Sequence, residues 1–328
     1  MDQRQKVRQF AASVILCACI LRVGSSGAPE LVRRWLTDSN TVPFLIYLET
    51  GRNVRFSASS ETFSGFFRES PAPWLQHRPA FSPEDAAGVE ITYGCALRPD
   101  LRELMARPLV WKLTGEEPTV LILHTHTTES YTADGEPYQE TSSYRTLDES
   151  CNMLSIGDAV AKYLTEQGIG VIHDRSVHDY PSYNGSYVDA RETVEEILKA
   201  YPSIRLVLDL HRDAAGTREN QLRTETLVEG RTAAQLMLVV GTNVSRQSHQ
   251  NWEENLALAL KLHVQLQRQS PGIMRPLQLR SQRFNQDLSP GALIVEVGAA
   301  GNTRAEALVA AEQLAVAIAA LSQGAQTE

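Results

Sequence analysis

A chain of 328 residues, 42% hydrophobic and 21% charged, has the composition of an ordinary globular protein and is long enough for one large core plus a small extra unit. A formal charge of -8, with no run of Lys or Arg and no basic-aromatic alternation, excludes a nucleic-acid partner. Four cysteines, two of them inside an apolar run, do not amount to a disulfide framework.

Arg4, Lys6 and Arg8 precede an uncharged twelve-residue run, Phe10 to Leu21. A basic flank followed by an apolar stretch of this length reads as an export signal, shorter than the roughly 20 residues that span a bilayer comfortably. Residues 1–27 are therefore expected to be a signal peptide or a short membrane anchor, and the rest of the chain to lie outside the cytoplasm. Cys95 and Cys151 are then the only cysteines that can pair after export, and both are expected to be free, small, buried residues.

Residues 28–116 carry a mixed signal: a short apolar run at Pro43 to Leu48, an aromatic and proline-rich stretch from Phe63 to Phe81, and a turn or helix start at Ser82-Pro-Glu-Asp. They read as a membrane-proximal linker or small region without chemistry. The only histidine there, His77, stands among prolines as a surface residue.

From 117 to 323 short apolar strands alternate with amphipathic helices, which implies an α/β domain with a mainly parallel, twisted sheet and helices on both faces. Strands are expected at Val120–Leu123, Gly170–His173, Leu206–Leu210, Gln235–Val240 and Ala292–Val295. Helices are expected at Ser155–Gln167, from Tyr187 to Lys199, at Glu253–Gln269 and at Thr303–Leu321, with a hairpin or β-rich insertion over Gln221–Arg231. The polar stretch from Ala133 to Asp148 is long enough to form a lid.

Three of these strands run straight into chemistry. The first delivers His124-Thr-His126-Thr-Thr-Glu129, the third His211-Arg212-Asp213, and the last Glu296. In a parallel α/β sheet the strand C-termini share one edge, where ligands bind, so residues distant in sequence can meet there. A tight turn would aim His126 and Glu129 at one point. Imidazole and carboxylate donors suit Zn²⁺, which commonly keeps three protein ligands and an open position, and the spare carboxylate suits a base. His124 competes with His126 for the ligand position; strand alternation puts both on one side, and His126 is preferred for its closeness to the turn. Asp209 or Asp213 is expected to orient His211. His173 and His178 lie at or after another strand end, as substrate contacts or without a role, and His263 falls on the apolar face of its helix. No Gly-x-Ser-x-Gly elbow, activated cysteine or phosphate-cradling glycine loop is present.

Four blocks, Ile122 to Tyr131, His173 to Tyr187, Leu208 to Asp213 and His249 to Asn255, keep the order and spacing of a known family, and over roughly Thr119 to Leu321 the chain resembles stage II sporulation protein P. The resemblance implies a sporulation cell-wall hydrolase: a zinc N-acetylmuramoyl-L-alanine amidase, with cross-link endopeptidase activity also attributed to the family, acting on peptidoglycan alongside stage II sporulation proteins D and M during engulfment. In it His126, Glu129 and His211 match the metal ligands and Glu296 the catalytic glutamate. Arg212, beside a ligand, is expected to meet a stem-peptide carboxylate, with His249 and Asn251 as further substrate contacts. A zinc carboxypeptidase acting on wall peptides, or a non-catalytic wall-binding scaffold, are the alternatives.

Overall fold

The structure, a computed structural model, describes residues 54–56, 80–109, 112–133, 138–217, 220–245 and 247–324. The expected export signal or anchor, residues 1–27, lies outside the described residues. In chain order the elements are β1 (Val54–Phe56), β2 (Ile91–Tyr93), α1 (Leu101–Ala106), β3 (Val120–Leu123), α2 (Met153–Glu166), β4 (Val171–Asp174), α3 (Ser186–Ala200), β5 (Leu206–Asp213), β6 (Glu225–Val228), β7 (Arg231–Ala234), β8 (Leu236–Val240), α4 (Trp252–Gln269), β9 (Leu277–Leu279), β10 (Ala292–Ala299) and α5 (Arg304–Gly324).

Eight of the strands form one sheet in the order β1-β4-β3-β5-β10-β8-β9-β2. Strands β4, β3, β5 and β10 are mutually parallel. At β10 the direction reverses, since β8 pairs with it antiparallel, and β9 and β2 follow β8. The central strands are buried along their whole length because both faces are covered, which is why they read as continuous apolar runs rather than alternating ones.

Alternation along each strand sorts the core into two layers. Leu121, Leu123, Val207 and Ala292 pack with Ala190, Val194 and Ile197 of α3 on one face. Val120, Ile122, Leu208, Leu293 and Val295 pack with α2, α4 and α5 on the other. Helix α5 is alanine-rich, and small side chains let it lie deep in that layer. Its segment Arg304–Ser322 is long and apolar enough to cross a membrane, yet 94% of its apolar window is buried inside the fold.

The Gln221–Arg231 expectation resolves into the β6-β7 hairpin, a separate two-stranded sheet. Its turn residues Glu229 and Gly230 both have positive φ, 50° and 79°. That is the backbone a two-residue hairpin loop needs to match the strand twist.

Ala86, Val89, Leu104 and Met105 belong to the same core as the central strands, and β1 and β2 form the two outer edges of the sheet. Edge strands of three residues carry too little pattern to be read in sequence. Cys95 and Cys151 are free and half-buried.

One close approach is informative. A Cβ on Gly157 of α2 would sit 2.4 Å from His173 Nε2 and 2.7 Å from His124 Nε2. Gly157→Ala is therefore expected to destabilise the fold by about 1–3 kcal/mol, the usual cost of overpacking, as read by urea denaturation.

Candidate functional site

Strand β3 stops at Leu123, and residues 125–128 form a turn closed by Glu129 N–H donating to His126 O at 3.1 Å. The turn ends the strand alternation, so His124 and His126 part company. His124 stays fully buried beside α2: its Nδ1 donates to Leu210 O at 3.0 Å, which leaves Nε2 to accept from His173 Nε2 at 2.9 Å. His173 Nδ1 in turn meets Asp158, which Arg175 also holds. The expectation that His124 and His126 share a side is thus corrected: every ring nitrogen of His124 is engaged away from His126. His178 braces the same turn, with Nδ1 donating to His124 O at 2.9 Å and Nε2 3.0 Å from Thr193 Oγ1.

His126 emerges on the α3 side. Its ring stacks on Tyr183 at 4.5 Å, meets Tyr187 edge-on at 5.6 Å and His211 edge-on at 5.2 Å, and its Nδ1 lies 3.3 Å from Ser186 Oγ. His211 Nδ1 is 3.5 Å from Glu129 Oε2, and its Nε2 is 2.9 Å from Asp209 Oδ1, at an angle that makes no hydrogen bond. Asp209 is itself fixed by Thr125, which donates from its N–H at 2.8 Å and its hydroxyl at 2.6 Å. Of the two carboxylates proposed to orient His211, Asp209 has the contact; Asp213 pairs with Arg275 at 2.8 Å. Glu296 stands in register with His211 on the adjoining strand β10. Four side chains from three strand ends therefore gather at one rim.

The lid is tied down by a residue that carries no signal in sequence. Arg145, from the Ala133–Asp148 stretch, reaches Glu129 Oε1 at 3.1 Å and Asp179 Oδ2 at 2.5 Å, with its guanidinium 4.8 Å from the Tyr183 ring centroid. A single Arg in a Ser/Thr-rich loop has no periodicity to betray it. Arg145→Met keeps the stem and removes the charge from a buried pair, so residues 138–152 are expected to exchange amide hydrogens faster and stability to fall by about 3 kcal/mol. Hydrogen-exchange mass spectrometry checks this.

The charges at the rim follow from burial and neighbours. Burial pushes the His126 pKa down to about 4, so its imidazole is a neutral donor near pH 7. Burial also opposes charge on His211, but Asp209 and Glu129 outweigh it and hold the pKa well above the ordinary value. Glu129, despite burial, is kept far below the carboxylate range by Arg212 and His211. Glu296 goes the other way: burial, with Glu129 and Asp213 adding and His211 and Arg212 opposing, raises it to about 8.

Imidazole nitrogens and carboxylates are the donor types zinc takes, and two buried atoms here, His211 Nε2 and Glu296 Oε2, have no hydrogen-bond partner. Among the described residues no three His, Cys, Asp or Glu side chains are yet disposed to hold an ion together. Glu129 is held by two arginines and His126 by Ser186, so the donor set fits a metal in chemistry and needs side-chain rotation to close on one.

The family model for stage II sporulation protein P matches residues 70–319. The chain belongs to the stage II sporulation protein P family. Stage II sporulation protein P of Bacillus subtilis (strain 168) is 28% identical over 206 residues, which cover 59% of this chain and 48% of that relative, so the chain spans about half the length of the curated relative it matches. Solved structures similar to part of the chain include the N-acetylmuramoyl-L-alanine amidase AmiC2 of Nostoc punctiforme (15% identity, TM-score 0.34, 63% of this chain and 94% of that one). Another is the apo N-acetylmuramyl-L-alanine amidase Ami1 of Mycobacterium abscessus (13% identity, TM-score 0.37, 62% and 96%).

In this stage II sporulation protein P family member, Arg212 lies at the rim with its donors taken, while His249 and Asn251 follow β8. Arg212 is buried at 4% exposure, with its guanidinium donating to Ser130 O and Tyr144 O and lying near Glu129. It fastens the lid to the rim and presents no free face to a substrate carboxylate. His249 and Asn251 follow β8, and because β8 runs antiparallel its end lies beside the start of β10, at the opposite edge from Glu296. Asn251 donates to Asp287 O at 2.9 Å, and His249 is buried near Asp287 and Arg283 with neither ring nitrogen bonded. His263 is a core residue as expected, though its Nδ1 has no partner.

Proposed function

We propose that this chain is a zinc-dependent amide hydrolase of peptidoglycan, an N-acetylmuramoyl-L-alanine amidase of sporulation with cross-link endopeptidase activity in reach, working outside the cytoplasm. The observation that supports it most is the gathering of His126, Glu129, His211 and Glu296 at one strand rim inside the family-matched stretch. His126, Glu129 and His211 would hold the ion, with Asp209 orienting His211 through its second nitrogen. A bound Zn²⁺ supplies Lewis acidity and brings the pKa of its water toward about 7. Glu296, a carboxyl whose pKa burial has moved close to working pH, takes the proton of the attacking water and passes it to the leaving amine. Retention at the membrane through residues 1–27, read from their basic flank and apolar run, and action together with stage II sporulation proteins D and M, which the family implies, belong to the same reading.

The test is elemental analysis of the purified protein together with mass spectrometry of digested peptidoglycan. An amidase releases stem peptides with a free L-alanine amine and leaves a bare lactyl group on muramic acid, and chelation stops it until zinc is restored. Shortened stems would replace this reading with the carboxypeptidase. Protein that takes up no zinc and releases nothing would leave the scaffold.

A further inference from the structure

Donors at the rim are nearly all committed. Arg145 serves Glu129 and Asp179, and Arg212 serves Ser130 O and Tyr144 O. The Tyr187 hydroxyl is not committed. Tyr187 is the second residue of α3, which Gly185 starts in the left-handed region at φ 102°. Its neighbours hold it firmly: Asn285 Nδ2 donates to its carbonyl at 2.7 Å, and the Phe284 ring lies 5.8 Å from its own. The ring is half-buried and edge-on to His126 at 5.6 Å, on the same side as Ser186, which also faces His126. Burial first, and then the charges of Asp209, Glu296 and Glu129, raise its pKa beyond that of free tyrosine, so the hydroxyl keeps its proton. No hydrogen bond joins that hydroxyl to any described residue.

A fixed, neutral O–H donor beside the rim suits the carbonyl oxygen that gains negative charge in amide hydrolysis. The geometry points to Tyr187 as a catalytic residue whose hydroxyl donates a hydrogen bond to the scissile carbonyl oxygen as that oxygen becomes negative, a role that rests on the amide-hydrolase reading above. Water oxygen bonds to the carbonyl carbon and the C=O π pair moves to oxygen, where the phenol O–H meets it. The proton stays on Tyr187 throughout. When C=O re-forms, the C–N bond breaks, and the amine leaves with the proton carried by Glu296.

Preorganised donors of this kind contribute about 10²–10³-fold to kcat. Tyr187→Phe keeps the ring and its contact with His126, so the expected result is a loss of about 10²-fold in kcat with KM, zinc content and melting temperature unchanged. A second readout separates charge stabilisation from packing: a phosphinate replacing the scissile carbonyl of a muramoyl-alanine fragment should bind Tyr187→Phe about 10²-fold more weakly, while the cleaved product binds equally to both. Unchanged kcat and unchanged phosphinate affinity would overturn the assignment, as would an equal loss of phosphinate and product affinity. A wild-type protein inactive on the amide would instead bring down the functional reading, and this inference with it.

Discussion

Glu296→Gln is expected to slow release of stem peptides by about 10²–10⁴-fold, the share a positioned acid-base group contributes, with the fold intact. Glutamine matches the carboxyl in shape but cannot carry the proton. Folding should not suffer, because Glu296 Oε2 has no partner to lose and its charge is disfavoured by burial and by Glu129 and Asp213. The sign can be checked in protein without added metal. A carboxyl raised from 4.5 to about 8 binds its proton more tightly when folded, so stability falls as pH rises through that window. Glu296→Gln removes the slope and is expected to be the more stable protein at pH 9, with little difference at pH 4. Amine release by the variant at the wild-type rate would show that Glu296 is not the proton carrier.

His211→Ala is expected to do two kinds of damage. It removes a proposed zinc ligand, so bound zinc and turnover should both disappear. It also removes the positive charge that lies between Asp209 and Glu129, at 2.9 Å and 3.5 Å. Both carboxylates are buried, and breaking such a set costs about 3–5 kcal/mol because the remaining charges are left uncompensated. Thermal denaturation with zinc analysis reads both effects. Adding Asp209→Asn should restore part of the stability and none of the zinc; failure to regain stability would place the damage elsewhere than in the stranded charges.

The legible part of this molecule is the part built from runs. Strands β3, β5, β8 and β10 and the long helices α2, α4 and α5 announce themselves by unbroken or helically spaced apolar residues; His211 and Glu296 stand out because they follow such a run at once, and His126 and Glu129 because they lie in the turn just after one. Direction is not written that way. Nothing in Leu236-Met-Leu-Val-Val240 distinguishes a parallel from an antiparallel neighbour, so the edge from which the loop bearing His249 and Asn251 departs is not legible in sequence. Contacts made by loops are equally silent: Arg145 and the phenol of Tyr187 acquire their meaning only once the Tyr144–Arg145 segment and the start of α3 are folded over the rim.

With β1 at one margin of an eight-stranded sheet and β2 at the other, segments 35 residues apart in the chain close opposite flanks, a separation of roughly 34 Å at normal strand spacing. An open flank offers unpaired amides and carbonyls to any passing strand, and such a template invites self-association. A shortened version beginning at 117 would uncover β4 and β9 together. It is expected to elute as multimers where the longer chain stays dispersed, so the stretch ahead of the rim serves as a pair of selvedges for the sheet.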